Sequence, residues 1–166
     1  MRVVLFRHGI AQDRADPRCP PDPDRALTDE GEKKTKKAAR GLSFLGCRPT
    51  RVLTSPYLRA QQTAALAADA LDVSPAQIIT TDVLLPDAPP YALFQALHAF
   101  SEDDEVLCAG HAPNLDRVLA LALTGDRVPV TAMKKSGAAL LELADLPRTH
   151  GELVWLLPPK ALAALG

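Results

Sequence analysis

Arg2-Val3-Val4-Leu5-Phe6-Arg7-His8-Gly9 decides how the rest of the chain is read. Arg2 to Phe6 is short, apolar and β-branched at Val3 and Val4. That composition predicts a strand buried on both faces. The run ends by delivering an arginine, a histidine and a glycine. In sheets built from such strands, ligands bind beyond the C-terminal strand ends. Arg7 and His8 therefore stand where chemistry is expected.

The same short apolar signature recurs at Arg51 to Thr54, Gln77 to Thr81 and Val106 to Ala109. Helical stripes separate these runs: Thr35, Ala38, Ala39, Leu42 and Leu45; then Tyr57, Ala60, Ala64, Ala67 and Leu71; then Leu93, Phe94, Leu97 and Phe100; then Leu115, Val118, Leu119 and Ala122. Thr28 reads as the N-cap of the first helix. Asp29, Glu30 and Glu32 follow in the first turn, where the helix dipole favours negative charge. Lys33, Lys34, Lys36 and Lys37 read as its solvated face. Ser55-Pro56 predicts the start of the second helix, a capping hydroxyl followed by proline at the first helical position. The acidic run from Glu102 to Glu105 is expected to end the third. Ala138 to Leu143 and Leu153 to Leu157 are two further strands, too close for a helix between them, so a hairpin or meander is expected.

Strand and helix alternate over the first three-quarters of the chain. That pattern predicts a three-layer α/β/α sandwich around a mostly parallel central sheet. At 166 residues, the length fits a single domain over 1–166. The segment from Gln12 to Arg25 interrupts the alternation with Pro17, Pro20, Pro21 and Pro23 and cannot be regular structure. It reads either as a lid or specificity loop after the first strand, or as a plain surface connection. Leu85 to Pro90 is a second proline-rich loop.

Composition narrows the function classes. The apolar fraction is 47%, the charged fraction 23% and the net charge −1. No global basic field argues for nucleic acid or an anionic membrane surface, and aromatic residues at 4% make base stacking a poor expectation. An anion site would have to be built locally. The apolar runs are too short for a membrane span, and the start of the chain does not read as a signal peptide. The cytoplasm is the expected compartment and a monomer the default state. Cys19, Cys47 and Cys108 are odd in number and widely spaced, which argues against a disulfide framework or a zinc ribbon. Cys108 is expected to pack as a small hydrophobe.

Four side chains converge in this reading: Arg7, His8, Arg59 and His111. Two permanent positive charges and two imidazoles at one point call for an anion. A phosphoryl group suits them, because guanidinium forks pair with its oxygens in bidentate fashion. Helix starts near Ser55 and Pro113 would add backbone N–H groups. Gly9 would let the backbone approach the ligand or adopt φ > 0. A neutral His8 nitrogen could then attack phosphorus, and water could hydrolyse the resulting phosphohistidine. Arg7, Arg59 and His111 would stabilise charge on the equatorial oxygens. No third ligand at a credible spacing supports a two-histidine metal site.

Arg7-His8-Gly9, the Ser-Pro-Tyr-Leu-Arg-Ala-Gln-Gln-Thr segment at 55–63 and Gly-His-Ala-Pro-Asn-Leu at 110–115 together resemble the histidine phosphatase superfamily, with its phosphoglycerate-mutase-like fold. The small size and the Leu-Thr-Asp-Glu-Gly segment at 27–31 make the chain similar to the short SixA-type phosphohistidine phosphatases. The resemblance runs from Met1 to about Leu123. It implies that His8 is the phosphorylated nucleophile, that Arg7, Arg59 and His111 form the phosphate pocket, and that neither metal nor organic cofactor is needed. Many members carry an acidic residue after the third strand to protonate the leaving oxygen. Here the segment reads Leu84-Leu85-Pro86-Asp87-Ala88-Pro89, so Asp87 is either the candidate acid or a turn residue. Without such an acid, an imidazole leaving group is favoured over an alkoxide, because its reference pKa lies near ~6.5.

The expected substrate is thus a phosphorylated protein bearing phosphohistidine, or a small phosphorylated molecule. A phosphomonoesterase or mutase for sugar or nucleotide phosphates is the alternative within the superfamily. A non-catalytic phosphate-binding module is the alternative of another class. Of the remaining polar residues, His98 reads as structural and His150 as solvated. Lys134-Lys135 reads as a solvated turn or a recruiting patch for an acidic partner, and Gln12 as a residue that could reach the phosphate.

Overall fold

The computed structural model describes residues 1–144, 146–147 and 150–166. Among these residues are six strands, β1 (Arg2–Arg7), β2 (Arg51–Thr54), β3 (Ile78–Thr80), β4 (Glu105–Gly110), β5 (Ala138–Leu143) and β6 (Gly151–Leu157). Five helices accompany them: α1 (Asp29–Phe44), α2 (Leu58–Ala70), α3 (Pro90–Leu97), α4 (Asn114–Thr124) and α5 (Pro159–Leu165). The strands form one sheet in the order β3-β2-β4-β1-β5-β6. β3, β2, β4 and β1 run parallel to their neighbours, whereas β5 pairs antiparallel with β1 and β6 antiparallel with β5. The sheet is thus mostly parallel, and its last two strands form the expected hairpin.

Alternation along β1 separates the two cores. Val3 and Leu5 pack with Cys108, Leu93, Phe94, Leu115 and Leu119, beneath α3 and α4. Val4 and Phe6 pack with Leu107, Ala38, Leu42, Ala64 and Leu162, beneath α1, α2 and α5. Helices therefore cover both faces, giving the α/β/α sandwich. Burying each large apolar side chain is worth about 1.5–3 kcal/mol. Val3, Val4, Leu5 and Phe6 are all fully buried, so the strand that carries Arg7 and His8 is anchored from both sides.

Thr28 caps α1 as its sequence suggests, its hydroxyl accepting the Gly31 N–H at 3.0 Å. Strand ends shift by one or two residues from the sequence expectation, and three differences concern the helices. α2 begins at Leu58, with Tyr57 as its cap, and not at Ser55-Pro56. The Ser55 hydroxyl does accept the Tyr57 N–H at 3.3 Å, but it also pairs with a histidine 56 residues away. α3 ends at Leu97, so the acidic run at 102–105 does not terminate it, and Phe100 packs against the core from beyond the helix. The third is α5, which the sequence reading omits. A Cβ on Gly41 would lie 2.1 Å from the Leu162 carbonyl oxygen. Glycine there lets the α5 backbone rest directly on α1.

The loop from Gln12 to Arg25 is not helical or extended except for a short 3₁₀ turn at Asp22–Asp24. Its base is closed by an isolated bridge between Ala11 and Leu27. Gln12 fastens it further: its side-chain oxygen accepts the Ala26 N–H at 2.9 Å, and its carbonyl accepts the Arg25 guanidinium. Gln12 is thus committed to holding the loop. Cys19, Cys47 and Cys108 are free thiols. Burial pushes Cys47 up to about 11 and Cys108 further still, so both behave as hydrophobes.

Candidate active site

The sheet register brings the three motif segments together. Arg7 on β1 lies opposite Gly110 on β4, so the residues that follow, His8 and His111, leave adjacent strands side by side. The His8 N–H donates to the Gly110 carbonyl at 3.0 Å, which locks that register past the strand ends. β2 flanks β4 on the other side, with Thr54 opposite Ala109 and the Ser55 N–H donating to the Ala109 carbonyl at 3.1 Å. Arg59 follows in the first turn of α2. The His8 and His111 ring centroids are 4.9 Å apart, and the Arg59 Nε stands 3.4 Å from His8 Nε2. Arg7, His8, Arg59 and His111 all line one cleft of about 350 Å³.

His8 is 7% exposed. Burial, then the neighbouring His111, lower its pKa to about 2; the Gly9 carbonyl opposes them, and Arg59 and Arg7 add smaller effects in the lowering direction. The ring is therefore neutral. Its Nδ1–H donates to the Gly9 carbonyl at 2.7 Å. A neutral imidazole carries one proton, so Nε2 holds the lone pair and faces the Arg59 guanidinium. That is the protonation state a nucleophilic imidazole needs at neutral pH.

His111 is 1% exposed, and burial, then Arg59, lower its pKa to about 3. Its Nε2 is 2.9 Å from the Ser55 hydroxyl. Ser55 Oγ also accepts the Tyr57 N–H, and its hydroxyl can either give its proton to His111 Nε2 or accept one from it. When Ser55 donates, the ring carries its proton on Nδ1, a buried atom without a partner among the described residues. Arg7 Nε is likewise buried and unpartnered. Two buried, unpartnered nitrogens on residues neighbouring His8 suit a pocket for an anion.

The arginines are held differently. Arg7 donates to the Met133 carbonyl, and the Met133 N–H donates to buried Asp116 at 2.8 Å. Arg59 is 3% exposed and donates from Nη1 to the Asp22 carbonyl at 2.6 Å and from Nη2 to the Asp22 carboxylate at 3.2 Å. Burial lowers both guanidinium pKa values, with Asp116 and Asp22 respectively opposing it.

Two candidates stand elsewhere. Asp87 is exposed, between the 3₁₀ turn at Asp82–Leu84 and α3, and is absent from the cleft lining. Pro86 lines the cleft in that region. Gly9 does not line it either, and its φ is not positive. Its N–H donates to the Thr63 hydroxyl at 3.1 Å, and a Cβ would lie 2.3 Å from the Thr35 hydroxyl oxygen. Glycine at position 9 is required by close packing against α1. His98 caps the end of α3 and, like His150, is exposed.

Asp13, Arg14, Arg25 and Lys135 also line the cleft. Sequence reading assigned no role to the first three and gave Lys135 to a solvated turn or a recruiting patch. The signal that was available is the acid–base pair in Asp22-Pro23-Asp24-Arg25, spaced to close one turn. Among the described residues, no group of three or more His, Cys, Asp or Glu side chains is arranged to hold a metal ion.

Residues 3–84 match the sequence model of the histidine phosphatase superfamily (branch 1). An uncharacterised protein of Picosynechococcus sp. (strain ATCC 27264 / PCC 7002 / PR-6) is 35% identical over 171 residues, spanning 98% of this chain and 99% of that protein. Among solved structures, the protein histidine phosphatase SixA complexed with tungstate is 28% identical. It superposes with a TM-score of 0.83 over 98% of this chain and 99% of that one. A candidate phosphohistidine phosphatase SixA from Agrobacterium tumefaciens gives 0.77 at 24% identity, covering 95% and 97% of the two chains. A mycobacterial glucosyl-3-phosphoglycerate phosphatase gives 0.72 at 17% identity, covering 95% and 98%. At those lower identities the likeness concerns the fold. The chain belongs to the histidine phosphatase superfamily, as a phosphatase of the SixA type with the phosphoglycerate-mutase-like fold.

Proposed function

We propose that this phosphatase removes phosphoryl groups from phosphohistidine on a partner protein, through a covalent intermediate on His8 and without a metal. The observation that carries the reading is the neutral His8 ring, its Nδ1–H given to the Gly9 carbonyl and its Nε2 lone pair beside Arg59. In the first step Nε2 attacks phosphorus and the substrate's N–P bond breaks. The bonding electrons return to the departing imidazole, which leaves neutral when its other nitrogen carries a proton. In the second step a water oxygen attacks phosphorus, the His8 N–P bond breaks and Nε2 recovers its lone pair. The water proton passes to solvent. Arg7, Arg59 and His111 Nδ1–H supply the donors for the equatorial oxygens in both steps.

The leaving group supports the substrate class. Asp87 lies outside the cleft, and the loop after β3 contributes Pro86 to its lining rather than an acid. An imidazole with a reference pKa near ~6.5 departs without an acid, whereas a sugar alkoxide does not. Likeness to SixA along the whole chain points the same way. One observation favours a second reading, a phosphomonoesterase: Asp13 is the only carboxylate lining the cleft among the described residues. It would have to act as the acid.

Turnover of a phosphohistidine peptide against a panel of phosphomonoesters, in EDTA, decides between them. The expected result is N–P hydrolysis well above any ester, lost by roughly 10⁴-fold in His8→Ala. Ester preference that disappears in Asp13→Asn would establish the second reading. Phosphate binding without turnover on either would make the protein a binding module.

A further inference from the structure

We propose that Asp22, in the proline-rich loop, is a positioning residue that aims Arg59 at the reacting phosphoryl group while weakening the site's hold on phosphate itself. A guanidinium has an end edge, made by Nη1 and Nη2, and a side edge, made by Nε and Nη2. Asp22 occupies the end edge with two different acceptors, its carbonyl at 2.6 Å from Nη1 and its carboxylate at 3.2 Å from Nη2. The side edge is left to face His8, with Nε 3.4 Å from the nucleophilic Nε2. Tyr57 covers the plane, its ring centroid 4.9 Å from Arg59 Cζ. Orientation about the last side-chain bonds is thus fixed by Asp22 and the face by Tyr57.

The same carboxylate accepts Arg14, at 3.0 Å from Nε and 2.8 Å from Nη2, and Arg25 at 2.8 Å. Three of the five cations lining the cleft therefore share one counter-charge. This has two consequences of opposite sign. Arg59 is nearly fully buried, and a buried guanidinium without a partner is costly and free to turn. Removing the carboxylate should therefore misalign it and slow the chemical step. Removing the carboxylate also removes a negative charge of the same sign as the ligand, from within one guanidinium's width of it. Ground-state anion binding should then tighten. A residue that only tethered the loop would not separate these two quantities.

The proposal rests on phosphoryl transfer to His8 but not on the natural substrate, so an activated aryl phosphate serves as the probe. Asp22→Asn, nearly isosteric, and Asp22→Ala are compared with the wild type and with Arg18→Ala. The last removes an ion pair to Asp16 in the same loop, outside the cleft. kcat should fall by about 10- to 100-fold in both Asp22 variants, while the competitive inhibition constant for inorganic phosphate falls by about 3- to 10-fold. Arg18→Ala should leave both unchanged. Unchanged kcat in the Asp22 variants overturns the proposal. So does a fall in kcat with weaker phosphate binding in a folded Asp22→Asn protein. If the wild type turns over no phosphorylated compound, the reading of the enzyme fails. Calorimetric phosphate binding then still tests the electrostatic half, with equal or weaker binding by Asp22→Asn contradicting it.

Discussion

The cleft has a floor and a wall made in different ways. His8 and His111 rise from neighbouring strands whose apolar residues are buried on both faces, and their spacing follows from the register of β1 against β4. Asp22, Arg14 and Arg25 belong to an irregular loop, and their positions follow from charge pairing. The two cleft arginines, Arg7 and Arg59, repeat the contrast. Arg7 is held by the Met133 backbone, which buried Asp116 fixes from the first turn of α4. Arg59 is held by the loop carboxylate, itself 32% exposed. Geometry that comes from packing resists salt and tolerates only conservative change. Geometry that comes from partly solvated ion pairs is weaker, adjustable and screened. One cleft thus combines a histidine pair held by packing with an arginine held by an adjustable ion pair.

The sharpest way to break the contrast is in the core. Phe6→Ala should destabilise the protein by about 3–5 kcal/mol, read by chemical denaturation, because a fully buried ring leaves a cavity under the floor. Arg18→Ala in the loop should change stability by no more than about 0.5 kcal/mol. Comparable losses would mean that the wall is as tightly packed as the floor.

Acid should weaken the floor next. His8 and His111 have folded-state pKa values lowered to about 2 and about 3, below the ordinary 6.5. Between those values the unfolded chain binds more protons than the folded one. Their contribution is therefore complete above about pH 6.5 and is lost as the pH falls towards 3. Each ring adds a slope of up to about 1.4 kcal/mol per pH unit. Asp22 acts in the same direction at lower pH. Burial opposes its ionisation, but hydrogen bonds from Arg25 and Arg14, with Arg59 beside it, hold its carboxyl below the usual range. Stability measured from pH 7 to 4 should fall less steeply for His111→Asn than for the wild type. Equal slopes would show that the His111 imidazole is not buried in the neutral form.

A smaller effect tests the tautomer. Ser55→Ala removes the hydroxyl paired with His111 Nε2 and should reduce kcat by about 10-fold, with KM changing less. A fall in kcat/KM arising from KM alone would place Ser55 in uniform binding.

The floor was legible in the sequence because its rules are local and periodic. A short β-branched run ending in Arg7-His8, repeated at Val106 to Ala109 before His111, states both the strands and the ends at which chemistry sits. The wall was not legible, because no period encodes which way an irregular segment turns. Asp13 and Asp87 both occur in proline-rich loops, yet the fold brings only Asp13 to the cleft. Ser55 misled for a related reason. A hydroxyl before proline signals a helix cap, and nothing nearby announces that its partner is His111. α5 is seven residues long, too short for a stripe to be read, and its traces are Pro159 at its first position and Gly41 within α1.

The most direct measurement is to trap the intermediate. The protein would be quenched in alkali during turnover of the phosphohistidine peptide, and the phosphorylated residue located by mass spectrometry. The account predicts an acid-labile phosphoryl group on His8, absent from His8→Ala and longer-lived in Arg59→Ala, where water attack loses a stabilising donor. Turnover that continues in His8→Ala, or a phosphoryl group found on any other side chain, would contradict it.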